Sequence, residues 1–348
     1  MLLLTADPGL TDQLQRLAAA AGVLLTVQPG VPGAQEWLAS RLVLVGGDRA
    51  RRVGAAGHPR RAGVVLVTCD PDDSGVWQHA VGLGAEQVAV LPDSREWLVD
   101  RLAGAVEPTG AGYLVGVVGG CGGAGASVLA ASIAVTAASG GRRVLLADLD
   151  PLGGGADLLL GVDDLQGLRW PDLASARGRL PGGSVSDALP RLDSLAVLTW
   201  GRGDPVDLPA RAVEAVLAAA TRAHDLVVVD LPRSLEGAAG VALSRLDELL
   251  VVVPARLRAA SAAAALVGRL GEGAPPTSAV VRLGPGDQLT AGRVADAVGL
   301  PLRLQMRDEA HLDLLASRGE APGLRRRGPL HRAAEQWLAR HEVRRTAA

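Results

Sequence analysis

The feature that most constrains this chain is an apolar segment that runs directly into a glycine-rich loop. Residues 114–127 read LVGVVGGCGGAGAS. A buried strand, a tight glycine loop and a helix starting near Ser127 match the phosphate-binding pattern G-x-x-x-x-G-K-[ST], here from Gly120 through Gly125. Ala126 occupies the lysine position, and none of the 348 residues is lysine. The sequence therefore predicts a phosphate-binding loop without its cationic side chain.

The composition sets limits on the class of protein. Hydrophobic residues make up 48% and charged residues 21% of the chain, as in globular rather than disordered proteins. The net charge of −2 indicates no general attraction to nucleic acid. Cys69 and Cys121 form neither a disulfide framework nor a zinc pattern. The N-terminus does not resemble a signal peptide and no apolar run would span a bilayer, so we expect a cytoplasmic protein.

A stretch rich in glycine and proline divides the chain into two domains. We predict a first domain over 1–107, a linker over 108–112 and a second domain over 113–348. The first domain alternates short apolar runs with helical patterns, which favours a parallel sheet covered on both faces. The strands are expected at 2–4, 42–45, 64–68 and 87–91, and the helices at 11–21, 75–83 and 94–105.

The first domain resembles the receiver domains of two-component signalling. Receivers need an acidic pair after the first strand, a phospho-acceptor aspartate after the third, and a lysine-proline pair after the fifth. Here Asp7 stands alone, Asp48 follows two glycines, and Leu91-Pro92 takes the lysine-proline place. We therefore expect a degenerate receiver-like domain that takes no phosphoryl group and serves interaction or localisation.

The second domain is predicted to be a doubly wound α/β sheet. Apolar runs at 114–118, 143–147, 195–199, 226–229, 248–253 and 279–283 alternate with helical patterns at 127–139, 208–223, 258–270 and 290–298. The fold class is therefore α/β, with a receiver-like parallel-sheet domain followed by a phosphate-loop domain. In such sheets, ligands bind at the carboxyl ends of the strands.

Three motifs fall at those carboxyl ends. Main-chain N–H groups of the glycine loop and the positive end of the following helix can hold an anion. The segment VLLADLDP brings Asp148 and Asp150 to the end of one strand, and DLVVVDLP brings Asp230 to the end of another. A carboxylate at a strand tip beside a phosphate loop is the arrangement that holds magnesium.

The three motifs in this order resemble the MinD/ParA family of deviant Walker ATPases over residues 113–345. With the receiver-like domain in front, the resemblance favours the CpaE-like branch and, within it, the actinobacterial septum-site-determining proteins. It implies ATP with magnesium as cofactor, Ser127 and Asp230 as magnesium ligands, and Asp150 and Asp230 as the catalytic carboxylates. The loop residues that it assigns to nucleotide binding are Gly120, Cys121, Gly122, Gly123, Ala124, Gly125, Ala126 and Ser127.

The chain departs from the family pattern at three positions. Cys121 and Ala126 stand where the family has two lysines, and Arg282 stands where it has an asparagine that contacts the base. Losing one charged hydrogen bond to phosphate costs ~1.5–3 kcal/mol, or roughly 10–100-fold in affinity. We therefore expect a regulator of septum placement, or of the localisation of pilus-type secretion machinery, that binds ATP weakly or not at all.

Two other functions fit the sequence. A working ATPase would use Arg233, or less readily Arg202, in place of the lysine. In an NAD(P)-binding oxidoreductase, the same glycines would form the G-x-G-x-x-G motif and Asp148 would bind the ribose.

The partners expected from the resemblance are a second copy of the chain and division or secretion proteins. The segment 329–344 is amphipathic and rich in arginine. It either packs on its own domain or makes a peripheral contact with the inner face of the membrane.

Overall fold

The structure is a computed structural model of the whole chain. It describes all residues except 71–74, 107–111, 177–179, 181, 204–205, 272, 288, 311, 313, 315–317 and 342–348. Two compact units follow one another, Met1–Pro108 and Thr109–Ala348. Most of the predicted linker, and the end of the predicted segment 329–344, lie outside the described residues, so the exact domain limits stay a prediction.

The first unit is a parallel five-stranded sheet in the order β2-β1-β3-β4-β5, as the alternating apolar runs predicted. Its strands are β1 (Leu2–Leu4), β2 (Thr26–Gln28), β3 (Val43–Gly46), β4 (Val64–Thr68) and β5 (Gln87–Val90). Its helices are α1 (Pro8–Ala20), α2 (Ala34–Ala39), α3 (Gly47–Ala55), α4 (Val76–Leu83) and α5 (Arg95–Val106). Neighbouring residues of the central strands point to separate cores on the two faces, which is why these strands are apolar throughout.

The second unit contains an eight-stranded sheet in the order β13-β12-β11-β6-β10-β7-β9-β8. Its strands are β6 (Tyr113–Gly119), β7 (Val144–Asp148), β8 (Arg191–Leu192), β9 (Leu195–Leu198), β10 (Leu226–Leu231), β11 (Glu248–Pro254), β12 (Thr277–Leu283) and β13 (Leu302–Arg307). All neighbours are parallel except β8 and β9. The glycine loop follows β6, at the centre of the sheet.

Helices cover both faces of this sheet. They are α6 (Ala126–Ser139), α7 (Ala156–Leu160), α8 (Trp170–Leu173), α9 (Gly182–Asp187), α10 (Ala210–Ala223), α11 (Ala238–Leu243), α12 (Leu257–Val267), α13 (Ala291–Val298) and α14 (Pro329–Arg340). Helix α6 lies in one core and is alanine-rich, which lets it pack closely under the central strands. Helices α10, α12 and α13 contribute to the core on the opposite face.

Helix α14 packs on its own domain. Its apolar side chains Leu330, Ala334, Trp337 and Leu338 are buried in the same core as α6. The Nε1 of Trp337 donates a hydrogen bond of 3.0 Å to the buried Glu248 at the start of β11. The apolar side of this helix is therefore covered by protein. Among the described residues, no helix combines the length and the apolar character needed to cross a membrane.

Candidate functional site

The root of the glycine loop is packed tightly against a neighbouring helix. The N–H of Gly120 donates to the carbonyl of Val252 in β11 at 2.8 Å. A Cβ atom on Gly120 would lie 2.6 Å from the Cβ of Ala263 in α12. Only glycine fits at this position, so the end of β6 and the start of the loop are held against β11 and α12.

The mouth of the loop is open. Gly123 and Gly125 have φ values of 66° and 95°, in the left-handed region that favours glycine. A Cβ atom on Gly122 or Gly123 would meet nothing within 4 Å. Among the described residues, the main-chain N–H groups of 121–127 have no hydrogen-bond acceptor. Together with the N-terminus of α6, these free donors form a seat for an anion.

Ser127 and Asp230 meet beside this seat. Strand β10 pairs with β6 on one side and β7 on the other, which places Asp230 next to the start of α6. The Ser127 hydroxyl lies close enough to Asp230 to lower the pKa of its carboxylate. Asp230 is 5% exposed, and burial raises its pKa to about 7. The negative charges of Asp148 and Asp150 contribute to this raised pKa, while the nearby Ser127 hydroxyl lowers it.

Asp148 positions the segment that carries Asp150. It is 2% exposed, and its oxygens accept from the N–H groups of Asp150 at 2.9 Å and Ala156 at 3.0 Å. The hydroxyl of Thr199 donates to the same carboxylate at 3.2 Å. Burial raises the pKa of Asp148 to about 6. The role of Asp148 and Thr199 in holding this loop was not recognised in the sequence, because the partners come from separate strands.

Asp150 completes the group of carboxylates at this edge. It is half-buried, and its Oδ1 accepts from the N–H of Leu152 at 3.0 Å. Asp150 follows Asp148, which pairs with Asp230 in the register of β7 and β10, so the Asp150 and Asp230 carboxylates lie at the same edge of the sheet. The structure therefore brings together the glycine loop and the two aspartates that the sequence placed at one site.

The side chains at this site could bind magnesium only if a bound ligand and water supplied the remaining oxygen atoms. Among the described residues, no group of three His, Cys, Asp or Glu side chains could hold a metal ion alone. Ser127 at the start of α6 and Asp230 in β10 offer a hydroxyl and a carboxylate oxygen beside the glycine loop. Magnesium takes oxygen ligands and completes its shell with water and phosphate oxygens. Such a cation would stabilise the charged form of the buried Asp230 carboxylate, whose pKa is raised.

Arg282 holds the loop from its outer side. Its Nη1 donates to the carbonyl oxygens of Gly123 at 2.9 Å and Ala124 at 3.3 Å, and its Nε pairs with Asp308 at 2.5 Å. Because these are loop carbonyls, the guanidinium lies against the acceptor side of the loop and not in the seat formed by the N–H groups. The sequence marked this position only as a departure from a base-binding asparagine.

The other two candidate arginines differ from each other. Arg202 pairs with the buried carboxylate of Asp157 at 3.3 Å. Arg233 follows β10 and is exposed, and it makes no ion pair with any residue that the structure describes. Arg202 is therefore engaged elsewhere, whereas Arg233 is free at the carboxyl edge of the sheet.

The topology contradicts the hypothesis of a dinucleotide-binding oxidoreductase. In that fold the strand that carries the ribose-binding acid lies directly beside the first strand. Here β10 lies between β6 and β7, and the Asp148 oxygens are occupied by Asp150, Ala156 and Thr199. The prediction that Asp148 binds a ribose was therefore wrong, because sequence order did not reveal the inserted strand.

Two curated relatives match nearly the whole chain. They are the uncharacterized proteins MT3760 and Rv3660c of Mycobacterium tuberculosis, from strains CDC 1551 and H37Rv. Each is 39% identical over 340 residues, which covers 95% of this chain and 95% of the relative. The chain belongs to the Rv3660c family. Residues 4–112 also match the family described as the Rv3660c-like, CheY-like N-terminal domain. The receiver-like nature of the first unit is thus confirmed.

Solved structures share the fold of the second unit of this Rv3660c-family chain. A ParA family ATPase from Chlorobium tepidum has a TM-score of 0.59 at 19% identity, covering 66% of this chain and 98% of that one. MinD from Aquifex aeolicus has a TM-score of 0.55 at 23% identity, covering 66% and 96%. The septum site-determining protein MinD of Pyrococcus horikoshii, complexed with Mg-ADP, has a TM-score of 0.56 at 17% identity, covering 66% and 95%. These likenesses confirm the MinD/ParA-type fold.

Proposed function

We propose that the chain is a positioning protein of the MinD/ParA type, from the CpaE-like branch of septum-site-determining proteins. In this proposal it regulates septum placement or the localisation of pilus-type secretion machinery. The second domain, over residues 113–348, binds Mg-ATP weakly or not at all. The receiver-like domain, over residues 1–107, contacts partners. The MinD/ParA-type fold and the CheY-like first unit support this proposal.

The observation that carries the proposal is the open glycine loop beside Ser127 and Asp230. The loop offers free N–H donors, yet its lysine position is Ala126, on the first residue of α6. Arg282 lies against the carbonyl side of the loop and supplies no charge to the seat. Main-chain donors and a helix N-terminus remain, which favours residual binding of phosphate rather than efficient hydrolysis.

Each residue would have a defined role with nucleotide bound. The loop N–H groups would hold phosphate oxygens, and Ser127 with Asp230 would hold magnesium, which neutralises phosphate charge. Asp150 would orient water near the terminal phosphate. The lost lysines would have stabilised charge in the transition state, and related chemistry loses ~10³-fold or more without such a cation.

The test restores the missing charge. We expect Ala126→Lys to tighten binding of a fluorescent ATP analogue, measured with magnesium, by roughly 10–100-fold. The control is Ala210→Lys, because Ala210 is also the first residue of a helix, α10, and is exposed. The control should bind the analogue as the original protein does.

The result also distinguishes weak binding from none. Saturation by the original protein at millimolar analogue would support a residual nucleotide site. If Ala126→Lys binds no better than Ala210→Lys, the loop is not a phosphate seat and the nucleotide part of the proposal fails.

An active ATPase that uses Arg233 is a second candidate, because Arg233 is exposed and free at the same edge. It requires phosphate release above background by the purified protein, lost in both Arg233→Ala and Asp230→Ala. Arg211→Ala, on the exposed side of α10, is the control. Equal release by all four proteins would exclude this candidate.

Dimerisation and peripheral membrane contact belong to the proposal as well. Sedimentation velocity with and without Mg-ATP analogue tests for a second copy of the chain. Co-sedimentation with anionic vesicles tests for contact at the inner face of the membrane. Because the apolar side of α14 is buried, membrane contact through its apolar residues would require that helix to leave the core.

A further inference from the structure

A basic groove lies along the edge strand β13 of the eight-stranded sheet. It has a volume of about 540 Å³ and is formed by β13 and one side of α14. Strand β13 is the last strand of the sheet and pairs only with β12 among the described residues. The groove is thus bounded by an open strand edge on one side and a helix on the other.

The lining of this groove is strongly positive. It contains Arg303, Arg307, Arg332 and Arg340 and no acidic residue, although the whole chain has a net charge of −2. Arg303 pairs with the buried Glu248 at 3.2 Å, so part of its charge is neutralised. Arg307 and Arg332 are exposed and form no ion pair within the described part of the chain. At least two guanidinium groups are therefore free to bind carboxylates.

The shape of the groove favours an extended chain as its ligand. An edge strand presents a row of main-chain donors and acceptors that another strand can bind. On this edge Arg340 already donates to the carbonyl of Arg303 at 2.9 Å. The floor also contains apolar side chains, among them Leu302, Leu304 and Ala333. Main-chain groups, an apolar floor and flanking arginines together suit a peptide better than a flat membrane surface.

We propose that the groove between β13 and α14 binds an acidic segment of a partner protein, in extended conformation, along the free edge of β13. Acidic side chains at alternate positions would reach Arg307 and Arg332, and Arg–carboxylate pairs add strength and orientation. The proposal does not require nucleotide binding, because no residue of the glycine loop lines the groove, although Arg307 also borders the cleft beside Gly125.

The experiment uses the full-length protein and a labelled peptide. The probe is a peptide of about eight residues in which glutamate and valine alternate. It is slightly longer than the six residues of β13, which span about 20 Å at ~3.3 Å each. Fluorescence anisotropy should show binding that weakens as salt is raised. A peptide of alternating lysine and valine should not bind. Hydrogen exchange of the amides in β13 should slow when the acidic peptide is added.

The variants test the arginines directly. Arg307→Glu/Arg332→Glu should weaken peptide binding by at least about tenfold, because two charged contacts become repulsive. The neutral pair Arg307→Gln/Arg332→Gln should give a smaller loss. The matched control is Arg211→Glu/Arg293→Glu, which reverses two exposed arginines on α10 and α13, outside the groove. Thermal melting checks that all variants remain folded.

Three results would overturn the proposal. The first is no binding of the acidic peptide below about 1 mM, a contact worth less than roughly 4 kcal/mol. The second is equal binding by the groove variant and the control variant. The third is binding of phosphatidylglycerol vesicles or double-stranded DNA, but not of the peptide, with the same dependence on Arg307 and Arg332.

Discussion

Each unit has aspartates at the carboxyl ends of its own parallel strands, but the surroundings of these aspartates differ between the two units. In the first unit, Asp48 accepts from the hydroxyl of Thr5 and the N–H of Ala6, each at 2.8 Å. Asp7 caps α1 by accepting from the N–H of Gly9 at 2.8 Å. These carboxylates are partly exposed and satisfied by nearby donors. They now stabilise the turns of a receiver-like sheet.

In the second unit, Asp148 and Asp230 are buried and both have a raised pKa. Asp230 has a pKa of about 7 and Asp148 of about 6, in both cases mainly because of burial. Asp148 accepts several hydrogen bonds, whereas the one group that lowers the pKa of Asp230 is the nearby hydroxyl of Ser127. The comparison teaches that a carboxylate with filled hydrogen bonds supports the fold, while a buried one short of partners is a candidate for binding a cation.

The largest expected effect is on the free energy of unfolding, which should change in opposite directions in the two units. In magnesium-free buffer at pH 8, Asp230→Asn should raise the free energy of unfolding of the second unit by roughly 1–3 kcal/mol, because a buried charge is removed. Asp48→Asn should lower that of the first unit by about 1 kcal/mol, because charged hydrogen bonds are lost. Native-state hydrogen exchange at β10 and β3 measures each unit separately.

The control for this pair is Asp207→Asn, at an exposed position of the second unit. It should leave exchange at both strands unchanged. If Asp230→Asn destabilises the second unit, the carboxylate has partners that relieve its charge, and the contrast between the units is lost.

The stability difference between the original protein and Asp230→Asn should depend on pH. Because the folded pKa of Asp230 is raised, folding of the original protein loses stability as pH rises from about 4 through about 7. Below pH 4 the two proteins should be equally stable, and above pH 7 the difference should be complete. Urea unfolding at several pH values measures it.

His224 changes the stability with pH in the opposite direction to Asp230. Because His224 is present in both proteins, its contribution should cancel in the difference between them. Burial lowers its pKa to about 4, so its charging destabilises both proteins as pH falls from 6.5 towards 4. Only the difference between the proteins therefore reports Asp230. A difference that is constant from pH 4 to pH 8 would show that Asp230 has no raised pKa.

A smaller effect is expected when the outer support of the glycine loop is weakened. Arg282→Lys keeps the charge but cannot reach the Gly123 carbonyl and Asp308 together, since lysine has a single head group. Exchange of the Gly120 amide, which donates to Val252 at the root of the loop, should become faster, by up to about tenfold for the loss of one charged hydrogen bond. Arg293→Lys, on the exposed side of α13, is the control. Unchanged exchange would mean that β11 and α12 alone shape the loop.

The smallest effect concerns the thiol of the first unit. Burial, followed by the charge of Asp7, raises the pKa of Cys69. Asp7→Asn should speed alkylation of Cys69 at neutral pH by less than about threefold, because more thiolate forms. Asparagine also caps helices, so α1 should be retained. Cys121 provides the internal reference, and a slower reaction at Cys69 would contradict the assigned cause.

Most of the fold could be predicted from the sequence because the central strands are apolar throughout. The predicted strand at 64–68 coincides with β4, and that at 2–4 with β1. The strands β2, β8 and β13 were missed. All three are edge strands, so only part of each is buried, and their side chains alternate between apolar and polar. The alternation in LRLQMR was visible in the sequence and indicates a strand with one exposed face.

The candidate site could be predicted in part. Glycine spacing and the aspartates after two apolar runs predicted which residues meet, because carboxyl ends of parallel strands share one edge. The support from Arg282 was not predictable, since it joins positions 159 residues apart through a strand outside the motif.

The order of the strands along the chain and the glycine pattern can be read from the sequence. The residues alone therefore specify a phosphate-type loop and its missing lysine. Whether Asp148 could bind a ribose depended on which strand lies next to β6, a choice made when the sheet assembles. The raised pKa of Asp230 likewise arises from packing, because burial and neighbouring charges exist only once the strands and α6 are brought together.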